Sequence, residues 1–173
     1  MVAIARKLLI AGLGNPGRTY EKTRHNAGRR AVDFLADTNA WKVEKNYLVA
    51  KSDDAVFIKP ETFMNLSGLA VVAAMAKYKI PLENVIVIHD DIDLKLGDLR
   101  SKVGGGNAGH NGLKSIDGAI GRDYTRVRIG VGRPDNIDFE ISDWVLARFS
   151  DEELKTISDL FPKIRKIIYP ECL

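Results

Sequence analysis

All three histidines of the chain lie in polar sequence beside an amide or a carboxylate. His25 precedes an asparagine, His89 precedes an aspartate and His110 precedes another asparagine. Histidine is the side chain whose unperturbed pKa lets it accept and donate protons near neutral pH. Because functional residues concentrate on loops held by a rigid scaffold, we interpret the three histidines as loop residues of one shared polar site.

The remaining sequence signatures narrow the chemistry of such a site. The chain contains no G-x-S-x-G nucleophile elbow and no H-E-x-x-H zinc helix. Its single cysteine, Cys172, lies in a terminal tail, which makes it a poor nucleophile candidate and indicates a reducing compartment. Histidine, aspartate and asparagine suit general-base activation of water, with amide donors stabilising an oxyanion.

Two glycine-rich segments raise the alternative of phosphate binding. Residues 12–17 match G-x-G-x-x-G, but the next helix is expected only at Asn26, so a dinucleotide site is disfavoured. We expect this turn to aim Asn15 into the site. Residues 104–112 include five glycines, whose backbone N–H groups could cradle a phosphate, although the Gly-Lys-Ser/Thr ending of a P-loop is absent.

A carboxylate cluster follows the most apolar strand. Asp90, Asp91 and Asp93 could bind a hard cation such as magnesium. One of them could equally orient a histidine from another loop, and aspartate is also common in strand-end turns.

The apolar patterns predict the elements that position these loops. Strands are expected at residues 7–13, 47–50, 55–59, 85–88, 99–103 and 125–131. Helices are expected from an Asn26 cap to about residue 39, at 66–78 as a buried helix, and at 113–120. A capping box of Ser150 and Glu153 starts a final helix, which Pro162 should kink or divide.

Strands alternating with helices, without repeats or linkers, predict one α/β domain spanning residues 1–173. Its sheet should be twisted, mixed and largely parallel, flanked by helices. No apolar run reaches membrane-spanning length, and the first residues indicate a strand and not a signal peptide, so a cytoplasmic protein is expected. Residues 95–133 carry eight basic residues against three acidic ones, which indicates an anionic partner.

Five segments together resemble bacterial peptidyl-tRNA hydrolases. They are GLGNPG, TRHNAG, FMNLSG, HDDIDL and GGGNAGHN, which begin at residues 12, 23, 63, 89 and 104. The resemblance spans residues 7 to about 149. It implies a single α/β domain, usually monomeric and without metal or cofactor, that hydrolyses the ester between a peptide and the 3′ ribose of tRNA. Such an enzyme recycles peptidyl-tRNA released prematurely in translation.

The resemblance also implies roles for individual residues. His25 resembles the general base, Asp90 the carboxylate that supports it, and Asn15 the residue that distinguishes N-blocked peptidyl groups from free aminoacyl groups. Contacts to the tRNA acceptor end and to the peptide are implied for Tyr20, Phe63, Asn65, His110 and Asn111. Lys102 and Arg128 match positions expected to hold the 5′ phosphate, and either Asn65 or Asn111 could donate to the oxyanion.

Two features depart from the family pattern. Asn107 stands where a histidine is often present, and the sequence after residue 149 is short, with Pro162 interrupting the helix expected to face tRNA.

Two other function classes remain open from the sequence. One is a nucleotide- or phosphate-binding protein, magnesium-dependent through the aspartate cluster, and the other is a non-catalytic RNA-binding module. Turnover of peptidyl-tRNA in excess chelator separates all three classes.

Overall fold

Seven strands form one mixed sheet in the computed structural model, which describes residues 6–171. The strands are β1 (Leu8–Gly12), β2 (Lys42–Val43), β3 (Tyr47–Lys51), β4 (Ala55–Pro60), β5 (Val85–Asp91), β6 (Leu99–Val103) and β7 (Thr125–Gly130). Their order across the sheet is β2-β3-β4-β1-β5-β7-β6. The four central strands, β4, β1, β5 and β7, are parallel, while β2, β3 and β6 are antiparallel to their neighbours. Cys172 lies outside the described residues.

The described residues form six α-helices, five of which cover the two faces of the sheet. The six are α1 (Ala27–Ala36), α2 (Ser67–Tyr78), α3 (Asn111–Ile120), α4 (Ile141–Leu146), α5 (Asp151–Ser158) and α6 (Phe161–Ile168). Residues of α1, α5 and α6 share one apolar core with one face of the sheet, and residues of α2 and α3 share a second core with the other face. Because both faces are covered, β5 begins with a continuous buried run of β-branched residues. No helix within the described residues is long and apolar enough to cross a membrane.

This architecture confirms the predicted mixed, largely parallel sheet flanked by helices. The capping box at Ser150 and Glu153 is also present, and Pro162 divides the last predicted helix into α5 and α6. The proline lies in the first turn of α6, where a missing N–H costs no helical hydrogen bond. The sequence patterns missed β2 and α4, because elements of two and six residues are too short to show a periodicity.

The structure corrects three local predictions. β5 continues to Asp91 because its backbone pairs with β7 as far as Gly130, so His89 and Asp90 are strand residues and not loop residues. Asn26 precedes α1, but its side chain makes no capping hydrogen bond. Helix α2 is buried on one side only, since Leu69 among others is exposed to solvent.

Gly28 sets the distance between α1 and the sheet. A Cβ atom at this position would overlap the carbonyl oxygen of Ile88, and that oxygen accepts a hydrogen bond from the backbone N–H of Leu13 (3.0 Å). The close contact places the 3₁₀ turn Arg24–Asn26, which precedes α1, beside the end of β5. A glycine in the first turn of α1 is therefore what brings His25 next to Asp90.

Gly28→Ala should lower the free energy of unfolding by at least about 2 kcal/mol, because a backbone oxygen has no alternative rotamer and α1 must shift. Gly118→Ala is the matched control, since Gly118 is also helical and has open space around it. The control should be neutral or raise stability by up to about 1 kcal/mol. Urea denaturation of both variants measures the difference, and equal stabilities would contradict this account of the packing.

Candidate active site

The side chains of His25 and Asp90 form a hydrogen bond at the centre of the candidate site. His25 Nδ1 lies 3.0 Å from Asp90 Oδ1 and 2.9 Å from Oδ2. A carboxylate accepts, so Nδ1 carries the proton and donates it. In the neutral imidazole, His25 Nε2 then keeps a free lone pair, and no described residue among 6–171 forms a hydrogen bond with it. This tautomer presents Nε2 as a base.

His110 donates to the same carboxylate as His25. Its Nε2 lies 2.8 Å from Asp90 Oδ1. Its Nδ1 accepts from the backbone N–H groups of Gly112 (3.1 Å) and Leu113 (3.3 Å), where the imidazole acts as the N-cap of α3. Because those backbone groups only donate, Nδ1 is unprotonated and Nε2 carries the proton. The helix N-terminus thus fixes the tautomer of His110.

Burial and charge act in opposite directions on this trio. Burial alone would lower the pKa of His25, but the charge of Asp90 and its hydrogen bond outweigh burial and raise that pKa above the ordinary value of 6.5. Burial alone would raise the pKa of Asp90, whereas its two histidine partners hold it well below its usual range. Asp90 therefore stays ionised, and its charge makes His25 a stronger base than a free imidazole.

His89 supports the main chain beside the trio. Its Nδ1 donates to the backbone oxygen of Asp90 at 2.7 Å, and its ring meets the ring of His110 edge-on with centroids 5.2 Å apart. Complete burial, reinforced by His110, lowers the pKa of His89 to about 3. His89 is therefore neutral at physiological pH.

Asn26 holds the turn that carries Asn15. The backbone N–H of Asn15 donates to Asn26 Oδ1, and Asn26 Nδ2 donates back to the carbonyl oxygen of Asn15, both at 2.9 Å. Asn15 Oδ1 in turn accepts from the backbone N–H of Met64 at 2.8 Å. Asn15 Nδ2 has no partner in the part of the chain that the structure describes. The amide group Nδ2 of Asn15 is therefore a donor that remains for a ligand.

Arg24 anchors the turn that carries His25. This buried side chain donates to the carbonyl oxygens of Ala147 and Arg148, both at 3.2 Å, and pairs with Glu153 at 3.1 Å. Its guanidinium also lies over the ring of Trp144, 3.5 Å from the centroid, in a cation–π contact. The segment from α4 to α5 therefore fixes the position of His25.

A second buried arginine anchors the glycine-rich loop that leads to α3. Arg126 has no exposed surface, and it donates to the carbonyl oxygens of Gly105 (3.0 Å) and Gly106 (2.9 Å). Asp117 of α3 pairs with it at 2.9 Å, and the guanidinium lies over the ring of Tyr124. This clamp orders a loop whose glycines would otherwise leave it mobile.

A cavity of about 400 Å³ opens beside His25. It is lined by β5, β7, the glycine-rich loop and α4, and it gathers six residues singled out in the sequence: His25, Asp90, Lys102, His110, Asn111 and Arg128. The other four, Asn15, Tyr20, Phe63 and Asn65, lie outside its lining.

The sequence analysis did not identify Arg24, Asn26 and Arg126 as positioning residues, because their partners are distant in sequence or are backbone groups.

The three aspartates that follow the apolar run of β5 do not converge on one point. Asp90 faces the two histidines, Asp91 pairs with Arg128 at 2.8 Å, and Asp93 pairs with Arg133 at 2.7 Å. A shared magnesium site needs several carboxylate oxygens around one ion. This arrangement therefore weighs against the magnesium-dependent alternative. His25, Asp90 and His110 could in principle ligate a metal, but their facing nitrogens carry the protons of the two hydrogen bonds.

Comparisons with known proteins agree on one family. The family model described as peptidyl-tRNA hydrolase matches residues 9–172. A peptidyl-tRNA hydrolase of Rickettsia bellii (strain RML369-C) is 50% identical over 165 residues, covering 91% of this chain and 89% of that protein. One of Wolinella succinogenes is 48% identical over 166 residues, covering 93% and 85%. A crystal structure of peptidyl-tRNA hydrolase from Acinetobacter baumannii superposes with a TM-score of 0.83 at 32% identity, covering 97% of this chain and 89% of that chain.

Asp90→Asn should lower the pKa of His25 below 6.5. The substitution removes the charge that raises this pKa and leaves the burial that lowers it. Histidine resonances followed by NMR titration give the value directly. Asp93→Asn is the control, because this exposed carboxylate pairs with Arg133 and not with a histidine. A His25 pKa that is the same in Asp90→Asn as in the wild type would show that the carboxylate does not govern the imidazole.

Proposed function

The chain belongs to the peptidyl-tRNA hydrolase family and hydrolyses peptidyl-tRNA, and we propose that water activated by His25 cleaves the ester between the peptide and the tRNA. One observation carries this mechanism. In the neutral imidazole, the hydrogen bond from His25 Nδ1 to Asp90 leaves the lone pair of Nε2 free at a cavity large enough for part of a substrate.

In the first step, His25 Nε2 takes a proton from a water molecule as its oxygen attacks the ester carbonyl carbon. The new C–O bond displaces the carbonyl π electrons onto oxygen, which gives a tetrahedral oxyanion. His25 becomes an imidazolium, and the negative charge of Asp90 stabilises that ion through Nδ1. General-base assistance of this kind typically contributes about 10²–10⁴-fold.

In the second step, the tetrahedral intermediate collapses and the bond to the ribose oxygen breaks. His25 Nε2 returns its proton to that leaving oxygen, so the products are a peptide acid and free tRNA. An ester expels its alcohol more readily than an amide expels an amine. A single histidine acting first as base and then as acid is therefore sufficient, and no covalent intermediate on the chain is required.

Asn111 is the better placed of the two candidate oxyanion donors. It lies at the start of α3, beside His110, and lines the cavity, whereas Asn65 does not. An amide donor aimed at a developing oxyanion typically contributes roughly 3 kcal/mol to the transition state. We assign Asn65, with Tyr20 and Phe63, to contacts with the substrate outside the cavity.

Asn15 is proposed to select N-blocked substrates. Its Oδ1 is occupied by Met64, so Nδ2 must find an acceptor on the substrate. An N-acylated residue offers the carbonyl oxygen of its blocking group. A free aminoacyl group instead presents an ammonium, which only donates and leaves Nδ2 unsatisfied in a nearly buried position.

Lys102 is the stronger candidate of the two proposed phosphate ligands. It lines the cavity and is exposed, and it has no ion pair within the described residues. Arg128 is already paired with Asp91, so a phosphate would have to share it or displace that carboxylate. We propose that the two cations hold the 5′ phosphate beside the acceptor end.

We further propose that the enzyme acts as a cytoplasmic monomer on peptidyl-tRNA released from ribosomes.

His25→Ala should lower kcat for peptidyl-tRNA by about 10²–10⁴-fold while circular dichroism shows an unchanged fold. His89→Asn should retain most of the activity, because His89 is neutral and touches the main chain of Asp90 instead of the substrate. Both are measured with excess chelator present. Near wild-type turnover by His25→Ala would refute the histidine mechanism, and loss of wild-type turnover in chelator would favour the magnesium alternative.

Asn15→Asp tests the donor without disturbing the turn. An aspartate oxygen still accepts from the N–H of Met64, but the side chain can no longer donate. We expect kcat/KM for N-acetylaminoacyl-tRNA to fall at least about tenfold relative to kcat/KM for the free aminoacyl-tRNA. A ratio that matches the wild type would remove Asn15 from substrate selection.

A further inference from the structure

Helix α2 is apolar on its solvent side as well as on the side that packs against the sheet. Its sequence, SGLAVVAAMAKY, contains no charged residue before Lys77. Ala70, Val71 and Ala74 fill the core, as expected for the inner side. A surface helix normally turns polar residues to solvent, so an apolar outer side calls for a function.

The outer side carries a row of large exposed apolar residues, which we call the apolar strip. It consists of Phe63, Leu66, Leu69 and Val72, whose exposed fractions are 60%, 46%, 50% and 42%. A spacing of three residues makes successive members neighbours on the surface. Contiguous apolar surface of this kind on a folded protein marks an interaction site.

The apolar strip begins at the active site. Between its first two members lies Met64, whose backbone N–H donates to Asn15 Oδ1 at 2.8 Å. The sulfur of Met64 lies against Gly112 in the first turn of α3, next to Asn111 and His110. A substrate chain that leaves the ester past Asn15 therefore meets the exposed amide of Asn65, which lies between Met64 and Leu66, and then arrives on the strip.

We propose that the apolar strip binds the peptide part of the substrate and favours peptides with apolar side chains upstream of the ester. This inference rests on the proposed function. Leu66 and Val72 are six residues apart, or about 9 Å along a helix. About three extended peptide residues at roughly 3.3 Å each span that distance. The tRNA is a poor occupant, because its phosphates require cations and the strip contains none.

The test compares three substrates on the same tRNA. They are N-acetylalanyl-tRNA, acetyl-Leu-Leu-Leu-Ala-tRNA and acetyl-Glu-Glu-Glu-Ala-tRNA. Wild-type protein should show the lowest KM for the leucine substrate. In the double variant Leu69→Gln/Val72→Gln, KM for that substrate should rise about tenfold with kcat unchanged, because the buried apolar contact is lost. The acetylalanyl substrate is too short to reach Leu69 and should keep its KM.

Val43→Gln is the matched control. Val43 is another exposed valine, on β2 at the edge of the sheet, and its substitution should alter none of the three KM values. Equal KM values of wild type for the leucine and glutamate substrates, or an equal rise for all three in the double variant, would overturn the proposal. A wild-type dimer in sedimentation that becomes monomeric in the double variant would overturn it too, by assigning the strip to self-association.

Failure of the proposed function has a different signature. It would appear as no turnover of N-acetylalanyl-tRNA by the wild type, whereas failure of the strip alone leaves that turnover intact and removes only the dependence on peptide side chains.

Discussion

The candidate active site depends on one buried carboxylate that accepts hydrogen bonds from two histidines. Asp90 holds both His25 and His110, and the backbone N–H groups at the start of α3 fix which nitrogen of His110 is protonated. The α3 main chain therefore donates to His110, and His110 in turn donates to Asp90. A buried carboxylate without these donors would be costly to ionise. With them, it stays charged and gives His25 its basicity.

The scaffold keeps this arrangement in place through close backbone packing and buried cations. Gly28 lets α1 touch β5, which sets His25 against Asp90. Arg24 ties the same turn to the segment after α4, and Arg126 ties the glycine-rich loop to β7 and α3. Each arginine satisfies backbone carbonyl oxygens as well as a carboxylate, so its burial is compensated. Positioning thus comes from contacts that lie outside the cavity or at its wall.

The sequence predicts the sheet and points to His25 and Asp90, but it does not predict the residues that hold these two side chains in position. The buried run of β5 and the capping box at Ser150 follow from local pattern, and both are present. His25 and Asp90 were singled out by their residue types and by family resemblance. The contact of Arg24 with Glu153 joins residues 129 positions apart, and no local pattern encodes it. Asn26 looked like a helix cap because asparagine commonly caps helices, yet its amide binds the backbone of Asn15. The Ala- and Val-rich composition of α2 predicts a buried helix, but composition does not distinguish residues that face the core from apolar residues, such as Leu69 and Val72, that face solvent.

In the proposed mechanism His25, held by Asp90, is the base whose neutral form takes a proton from water to start the reaction. The most direct test of this mechanism is the pH dependence of kcat/KM for peptidyl-tRNA, set beside the NMR titration of His25 in the same wild-type protein. Because the pKa of His25 is raised, activity should fall on the acidic side with a midpoint above 6.5. That midpoint should coincide with the pKa of His25 measured by NMR. A midpoint that differs from the His25 titration, or an acidic limb that is absent, would contradict the account.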